Sequence, residues 1–169
     1  MTVLVTGPTG FVGREVVAEL ISRGIPTRAM ARSRRRARIL DALGAEIAIG
    51  DVADPRAVNE SMRGVKSVLH LAAVIRENGD QTFCSVNHEG TVNVLDAAQK
   101  AGVERFVYAS AIGSAPDGPN TYMASRWNAE QAVKRAGIPY TIMRFSMAFG
   151  RGDEFFNVLA ALVKISPVV

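Results

Sequence analysis

Residues 2–13 decide the fold, and they read TVLVTGPTGFVG. The apolar run over residues 3–5 is short and rich in β-branched side chains, which predicts a buried strand rather than a helix. Three glycines spaced three residues apart follow this run, and apolar residues at helical spacing begin after the last of them. The chain therefore opens with a strand, a glycine turn and a helix.

The three glycines suit a turn that holds a phosphate group. Gly7 lets the chain leave the strand sharply, Gly10 lets a ligand approach the backbone, and Gly13 lets the helix pack closely on the sheet. The first N–H groups of the helix and its dipole favour an anion such as pyrophosphate. The glycines alone fit an ordinary tight turn equally well, but the strand and helix patterns that follow favour a dinucleotide-binding βαβ unit. The residues expected to contact the dinucleotide here are Gly7, Thr9, Gly10, Phe11, Val12 and Gly13.

Length and composition indicate one globular domain. The chain has 169 residues, of which 48% are hydrophobic and 21% charged, and no apolar stretch is long enough to span a membrane. The single cysteine, Cys84, and two histidines offer no metal-ligand cluster. We therefore expect a metal-free protein without a signal peptide, in the reducing cytoplasm.

The remaining patterns alternate between strand and helix. Strands are predicted over residues 26–31, 45–50, 67–73, 105–109 and 138–144, and helices after Gly13 and over residues 36–43, 83–101, 122–133 and 154–164. Residues 74–81 and 115–120 are predicted loops, and residues 149–153 a turn. This order predicts an α/β fold of the Rossmann type: a doubly wound parallel sheet in the order 3-2-1-4-5-6, with helices on both faces and the ligand at the carboxyl ends of the strands.

The end of the second predicted strand carries basic residues and no acid. The net charge of +4 is concentrated here, where Arg32, Ser33 and one of Arg34–Arg36 are placed to clamp a phosphate. In a dinucleotide fold an acid at this point binds the ribose 2′-hydroxyl of NAD, whereas arginine accommodates the 2′-phosphate of NADP. The cluster thus favours NADP, with NAD as the alternative. A solvated basic helix start explains the arginines too, and a nucleic-acid patch is a less favoured explanation.

Acidic residues follow the third predicted strand. Asp51 is a candidate acceptor for the adenine amino group, with Val52 packing on the ring. Asp54, which precedes Pro55, is expected to be the N-cap of the next helix.

Small residues end the fourth predicted strand. Ala72 and Ala73 leave room for the ribose and phosphates of a cofactor. His70 lies within the strand and is expected to be a buried structural residue. Asn87, in the next helix, is expected to face the ends of the strands and belongs to the candidate cofactor site.

The chain resembles the extended or atypical branch of the short-chain dehydrogenase/reductase superfamily, which includes sugar-nucleotide epimerases and complex I subunit-like NAD(P)-binding proteins. The resemblance covers nearly the whole sequence. It rests on the glycine turn, Gly50-Asp51, HLAA at 70–73, Asn87 with Gly90-Thr91, FVYAS at 106–110, Tyr122 onward, and YTIMR at 140–144 before Phe149-Gly150.

The resemblance implies a catalytic set that this chain carries only in part. Members of the family use Ser, Tyr and Lys, with the tyrosine as general acid and base at a carbonyl or alcohol. Tyr122 matches the tyrosine, but Arg126 stands in place of the lysine and Ala111 in place of the serine, with Ser110 and Ser114 as possible substitutes. Arginine keeps the positive charge but changes reach and hydrogen-bond geometry. The resemblance also implies that Tyr122 and Arg126 contact the nicotinamide ribose.

Two functions remain open at this stage. One is an NAD(P)-dependent oxidoreductase or epimerase with Tyr122 as acid and base, acting on an unknown small molecule. The other is a non-catalytic dinucleotide-binding module with a structural, redox-sensing or assembly role. The family usually continues for about a hundred residues that form a substrate lobe, so we expect that lobe after residue 169 and interpret residues 1–169 as the NAD(P)-binding domain of a truncated chain. The helices that carry Asn87 and Tyr122 are the usual dimer face of the family, and a homodimer or a larger complex is possible.

Overall fold

The computed structural model describes residues 1–118, 121–150, 153 and 162–163. The strands are β1 (Thr2–Thr6), β2 (Thr27–Ala31), β3 (Glu46–Ile49), β4 (Val65–His70), β5 (Arg105–Ala111) and β6 (Tyr140–Phe145). The helices are α1 (Phe11–Ser22), α2 (Arg34–Ala42), α3 (Pro55–Ser61), α4 (Gly90–Lys100) and α5 (Thr121–Arg135), and a π-helical segment (Phe83–Glu89) leads into α4.

The six strands form one sheet in the order β3-β2-β1-β4-β5-β6, and every pairing is parallel. The chain starts in the middle of the sheet, winds outward to β3, and then returns to place β4 on the other side of β1. The predicted fold and strand order are confirmed. The carboxyl ends of β1 and β4 lie side by side at the point where the order reverses, which is where parallel α/β sheets bind ligands.

Helices cover both faces of the sheet. On one face Val17 of α1 and Leu40 of α2 pack against Val5 and Ala29. The other face carries the larger core, in which α3, α4 and α5 pack on Phe106, Tyr108 and the neighbouring strands. The central strand β1 is covered on both faces, with Leu4 in one core and Val5 in the other, which explains the continuous apolar run over residues 3–5.

Several element boundaries differ from those predicted. β4 ends at His70, so Ala72 and Ala73 follow the strand rather than lie in it. β5 is longer than predicted, because Ser110 and Ala111 continue the ladder with Arg144 and Phe145 of β6. The predicted helix over 83–101 begins as a π-helix. Asp54 caps α3 as predicted, its Oδ1 accepting from the backbone N–H of Arg56 at 2.9 Å.

Some predictions fall partly outside the described residues. These are the last two residues of the loop over 115–120, residues 151 and 152 of the turn that ends at Asp153, and most of the helix over 154–164.

Candidate functional site

The glycine turn joins β1 to α1 at the carboxyl edge of the sheet. Gly7 has φ +67°, and a Cβ placed on it would lie 2.7 Å from the backbone nitrogen of Ala72. A Cβ on Gly13 would lie 2.1 Å from the carbonyl oxygen of Gly7. Both positions therefore require glycine for the turn itself to form.

Gly10 is different, because the described fold leaves room for a side chain there. Its backbone is extended, with φ −74° and ψ 172°, and a Cβ would meet only the carbonyl oxygen of Gly7, at 3.4 Å. Gly10 is also the N-cap of α1 but supplies no capping side chain to the first N–H groups of the helix. A group that approaches the turn from outside, such as a pyrophosphate, explains both features.

A cleft lies above this turn. Its volume is about 780 Å³, within the range of about 300–1,000 Å³ that small-molecule sites occupy. It is lined by residues that directly follow β1, β2, β3 and β4, so it lies at the carboxyl ends of the strands. Eight of the predicted cofactor residues line it: Gly7, Thr9, Gly10, Arg32, Asp51, Val52, Ala72 and Ala73.

The other predicted cofactor residues do not line the cleft. Phe11, Val12 and Gly13 form the first turn of α1, and Ser33 is the N-cap of α2. Asn87, Tyr122 and Arg126 lie on the π-helical segment and α5.

Four arginines line the cleft: Arg14, Arg32, Arg35 and Arg36. Arg35 and Arg36 belong to the first turn of α2, which contains no acidic residue, and the Ser33 hydroxyl makes no capping hydrogen bond. Cations at a helix N-terminus oppose the helix dipole. An anion bound at the start of α2 would satisfy both the arginines and the open N-terminus.

Arg32 and Asp51 meet within the cleft, although they follow different strands. Arg32 Nη1 lies 3.8 Å from Asp51 Oδ2 and donates a hydrogen bond to Gln81 Oε1. Gln81 Nε2 in turn donates to Asp51 Oδ2 at 3.3 Å. The other carboxylate oxygen of Asp51 accepts from the backbone N–H of Ala53 at 3.0 Å.

Residues 71–82 form a strap that follows β4, and residues 71–74 and Gln81 of this strap line the cleft. Asn87, fully buried, fixes the near part of this strap: its side chain accepts from the N–H of Val74 at 2.8 Å and donates to the Val74 carbonyl at 3.0 Å. Asn87 also donates to Ser125 Oγ of α5 at 3.2 Å. The structure therefore shows Asn87 as a support of the cleft wall.

His70 is a structural residue, as predicted. Thr91 Oγ1 donates to the Asn87 carbonyl at 2.7 Å, so it accepts from His70 Nε2, which lies 3.0 Å away. His70 Nδ1 then accepts from Thr6 Oγ1 at 2.7 Å, which assigns the neutral imidazole. Burial, reinforced by the charge of Arg126, lowers the pKa of His70 to about 3, so His70 stays uncharged at neutral pH.

Tyr122 and Arg126 occupy the same side of α5 but have different surroundings. The Tyr122 ring is half-buried and packs edge-on against Phe83, with centroids 5.7 Å apart. Arg126 is 3% exposed, and its guanidinium carbon lies 4.8 Å from the centroid of the Tyr108 ring. Its Nε and Nη1 have no hydrogen-bond partner among the described residues.

Ser110 and Ser114 are both buried and belong to a network that ties α5 to β6. Ser110 Oγ donates to Glu130 Oε1 at 2.6 Å and lies 3.2 Å from Ser114 Oγ. Glu130 also receives two hydrogen bonds from Arg144, at 2.9 and 2.7 Å. In this arrangement the Ser110 proton is committed to Glu130 rather than free for a substrate oxygen.

Several residues of the site were not found from the sequence. Arg14 follows Gly13 directly in the first turn of α1, so its position next to the last glycine of the turn is a signal that the sequence does contain. Gln81 lies in a segment without periodicity and reaches Arg32 from 49 residues away, so no local pattern marks it. Glu130 lies one turn after Arg126 on α5. Glutamate is a common helix former, so the sequence does not distinguish it from an exposed helical residue.

The described residues contain no group of three or more His, Cys, Asp or Glu side chains placed to hold a metal ion. Over the same part of the chain, no helix combines the length and apolar character that crossing a membrane requires.

Comparison with known proteins identifies the family. A family model described as NAD(P)H-binding matches residues 7–153. Sterol demethylase protein B of Methylococcus capsulatus is 36% identical over 129 residues, 75% of this chain and 39% of the relative. Ceramide reductase of Caulobacter vibrioides is 31% identical over 167 residues, 99% of this chain and 52% of the relative.

A solved structure agrees in fold and sequence. The crystal structure of a short-chain dehydrogenase/reductase superfamily protein from Agrobacterium tumefaciens with bound NAD has a TM-score of 0.77 and 31% identity, over 94% of this chain and 54% of that one. The chain thus spans about half the length of the curated relatives and of this structure. The glycine turn, the cleft at the reversal of strand order and the family match lead to one conclusion: the chain belongs to the NAD(P)H-binding family, in the extended or atypical branch of the short-chain dehydrogenase/reductase superfamily.

Proposed function

We propose that this protein binds NADPH in preference to NADH and acts as the cofactor-binding part of an NADPH-dependent oxidoreductase. The observation that carries the preference is the set of three cleft arginines at the end of β2 and the start of α2, namely Arg32, Arg35 and Arg36. No acid follows β2 directly to bind a ribose 2′-hydroxyl. The nearest carboxylate, Asp51, is already hydrogen bonded to Ala53 and Gln81.

The residues present fit the cofactor in two places. The pyrophosphate would be held by the backbone N–H groups of Phe11 and Val12 at the start of α1, beside the open side-chain space of Gly10, whose own N–H donates to the Gly7 carbonyl. The adenosine would lie between Arg32 and Asp51, with its 2′-phosphate toward Arg32, Ser33 and the start of α2, whose N-terminus is uncapped.

A binding titration tests this proposal. We expect NADPH to bind at least about tenfold more tightly than NADH, because a charge-assisted contact to phosphate contributes roughly 1.5–3 kcal/mol. Arg32→Ala should remove most of that difference. Isothermal titration calorimetry with each cofactor measures the two dissociation constants.

Arg38→Ala is the matched control, since Arg38 is an exposed arginine of α2 that does not line the cleft. It removes the same charge and should leave the ratio of the two dissociation constants unchanged. Equal losses of NADPH and NADH affinity in Arg32→Ala would reject the 2′-phosphate role.

For catalysis, we assign the acid and base role to Tyr122 with Arg126 as its cationic neighbour. When bound, the nicotinamide supplies or accepts a hydride. Tyr122 would hold the proton for the substrate oxygen, and Arg126 would favour the tyrosinate by its charge. The similarity to ceramide reductase of Caulobacter vibrioides supports a reduction by hydride transfer. We propose that a substrate lobe outside this NAD(P)-binding domain selects the substrate.

A non-catalytic dinucleotide-binding module is the second candidate, and two observations favour it. The Ser110 hydroxyl is committed to Glu130, while Arg126 is buried over Tyr108. Neither is arranged to orient a substrate oxygen. Tyr122→Phe distinguishes the two functions: it should abolish carbonyl reduction with NADPH while cofactor affinity is kept. If no member of a ketone and quinone panel is reduced by the unsubstituted protein in its full-length form, the second function is favoured.

We also propose a cellular compartment and an oligomeric state for this protein. Cys84 is exposed and unpaired, which fits the reducing cytoplasm. The helices that carry Asn87 and Tyr122 are proposed as a homodimer face, which sedimentation of the full-length protein would test.

A further inference from the structure

Gln81 occupies an unusual position in the cleft, between a cation and a carboxylate. Arginine can only donate hydrogen bonds and an ionised carboxylate can only accept them. The Gln81 amide satisfies both, with its oxygen toward Arg32 and its nitrogen toward Asp51. Only this orientation of the amide fits the two partners.

The amide keeps the two charges apart. Arg32 Nη1 and Asp51 Oδ2 are 3.8 Å from each other, whereas a directly hydrogen-bonded pair is about 2.7–2.9 Å apart. The Arg32 side chain is 51% exposed, so its guanidinium can move toward Asp51, whose other carboxylate oxygen is held by the N–H of Ala53. Without Gln81, the guanidinium and the carboxylate would close into a direct ion pair.

Such a pair would compete with a phosphate for the same donors. A bidentate contact with a carboxylate uses two parallel N–H groups of the guanidinium, which are the groups that a phosphate binds. It would also bring the negative charge of Asp51 closer to any phosphate at Arg32.

The strap holds Gln81 firmly in this position. The backbone of Gln81 exchanges two hydrogen bonds with Asn78, both 3.1 Å, and Glu77 accepts from the N–H of Phe83 at 2.8 Å. Thr82 caps the π-helical segment that follows. Gln81 is thus supported on both sides by fixed backbone.

We propose that Gln81 is the positioning residue that sets cofactor choice, by holding Asp51 off Arg32 so that the guanidinium remains available to the 2′-phosphate. This inference rests on the proposed NADPH function and adds to it a residue from the loop after β4.

The test compares the dissociation constants of NADPH and NADH in the unsubstituted full-length protein and in three variants of it. Gln81→Met keeps the length of the side chain and removes both hydrogen bonds, and it should weaken NADPH about tenfold while NADH changes less than about twofold. Gln81→Met combined with Asp51→Asn should restore the ratio, because no carboxylate then remains to close on Arg32. The single variant Asp51→Asn completes the double-mutant cycle, which isolates the interaction between the two positions.

Gln99→Met is the matched control, since Gln99 is exposed on α4 and far along the chain from the cleft. If Gln81→Met fails to fold, Gln81→Leu gives the same test, because it also removes both hydrogen bonds and leaves Asp51 able to pair directly with Arg32.

The outcomes separate the two proposals. If the unsubstituted protein binds neither cofactor, both are overturned. If it prefers NADPH but Gln81→Met leaves the ratio unchanged, or if the double variant fails to restore it, only the role of Gln81 is overturned.

Discussion

Gly10 and Gly13 stand three residues apart in one turn, yet the structure gives them different reasons to be glycine. Gly13 is required by the fold, because a Cβ there would collide with the Gly7 carbonyl oxygen at 2.1 Å. Gly10 meets nothing closer than 3.4 Å and has an ordinary backbone conformation. The sequence pattern treats the two alike, and the structure separates a glycine that the packing of the turn requires from one that it does not require.

Alanine substitutions test this distinction. Gly10→Ala should leave the free energy of unfolding within about 0.5 kcal/mol of the unsubstituted protein and weaken NADPH at least tenfold. Gly13→Ala should lower the free energy of unfolding by about 2 kcal/mol or more, since backbone would have to shift. Urea unfolding and cofactor titration of the two variants measure both quantities. Unchanged NADPH affinity in Gly10→Ala would contradict a pyrophosphate at this turn.

At the scale of elements, α5 and β6 are held together through one buried carboxylate. Burial alone raises the pKa of Glu130, but the hydrogen bonds from Arg144 and Ser110 and the charges of Arg144 and Lys134 outweigh it, so that the pKa of this carboxyl lies below its usual value. Its side chain is 1% exposed, against 42% for Arg144. The ionised form of Glu130 therefore stabilises the docking of α5 on β6.

Removal of this carboxylate should destabilise the fold. Glu130→Ala leaves Ser110 and Arg144 without their acceptor, and we expect a loss of about 2 kcal/mol in the free energy of unfolding by urea titration. Glu104→Ala, which removes the exposed ion pair with Lys66, should cost less than about 1 kcal/mol. Equal losses in the two variants would show that the buried network contributes no more than a surface pair.

The helices and strands also show which structural features could be predicted from local sequence patterns. Alternating apolar runs and glycines were enough to predict the six strands, because each signal is local. Their order followed from the dinucleotide-binding fold that the glycine turn indicates, together with right-handed crossovers. The extension of β5 to Ala111 depends on pairing with Phe145, and the π-helical start at Phe83 has no distinct composition. The Gln81 bridge and the Glu130 network join residues far apart in the chain, so they needed the three-dimensional structure.

At the scale of the molecule, stability should depend on pH through His70. Its pKa is about 3 in the folded protein and 6.5 in the unfolded chain, so the unfolded state binds a proton first as the pH falls. The stabilisation is fully present above pH 6.5 and is lost progressively toward pH 3.

Urea unfolding at several pH values checks this dependence. Between about pH 7 and pH 5, above the range in which most carboxylates titrate, we expect a loss of about 2 kcal/mol in the free energy of unfolding. His70→Gln should remove this slope, whereas a substitution of the half-buried His88 by Gln should keep it. A slope that persists in His70→Gln would assign the pH dependence to another group.

The pairing of β1 with β4 also has a consequence for how the protein folds. Thr6 and His70 hydrogen bond across 64 residues of chain, and all the intervening strands belong to the other half of the sheet. Closing a loop of that length costs conformational entropy before any contact between the two strands repays it, and such non-local parallel pairing slows folding. The floor of the cleft exists only once this loop has closed. We therefore expect a dinucleotide to bind after the slow step of folding, and so to stabilise the protein by slowing its unfolding while the rate of folding is unchanged.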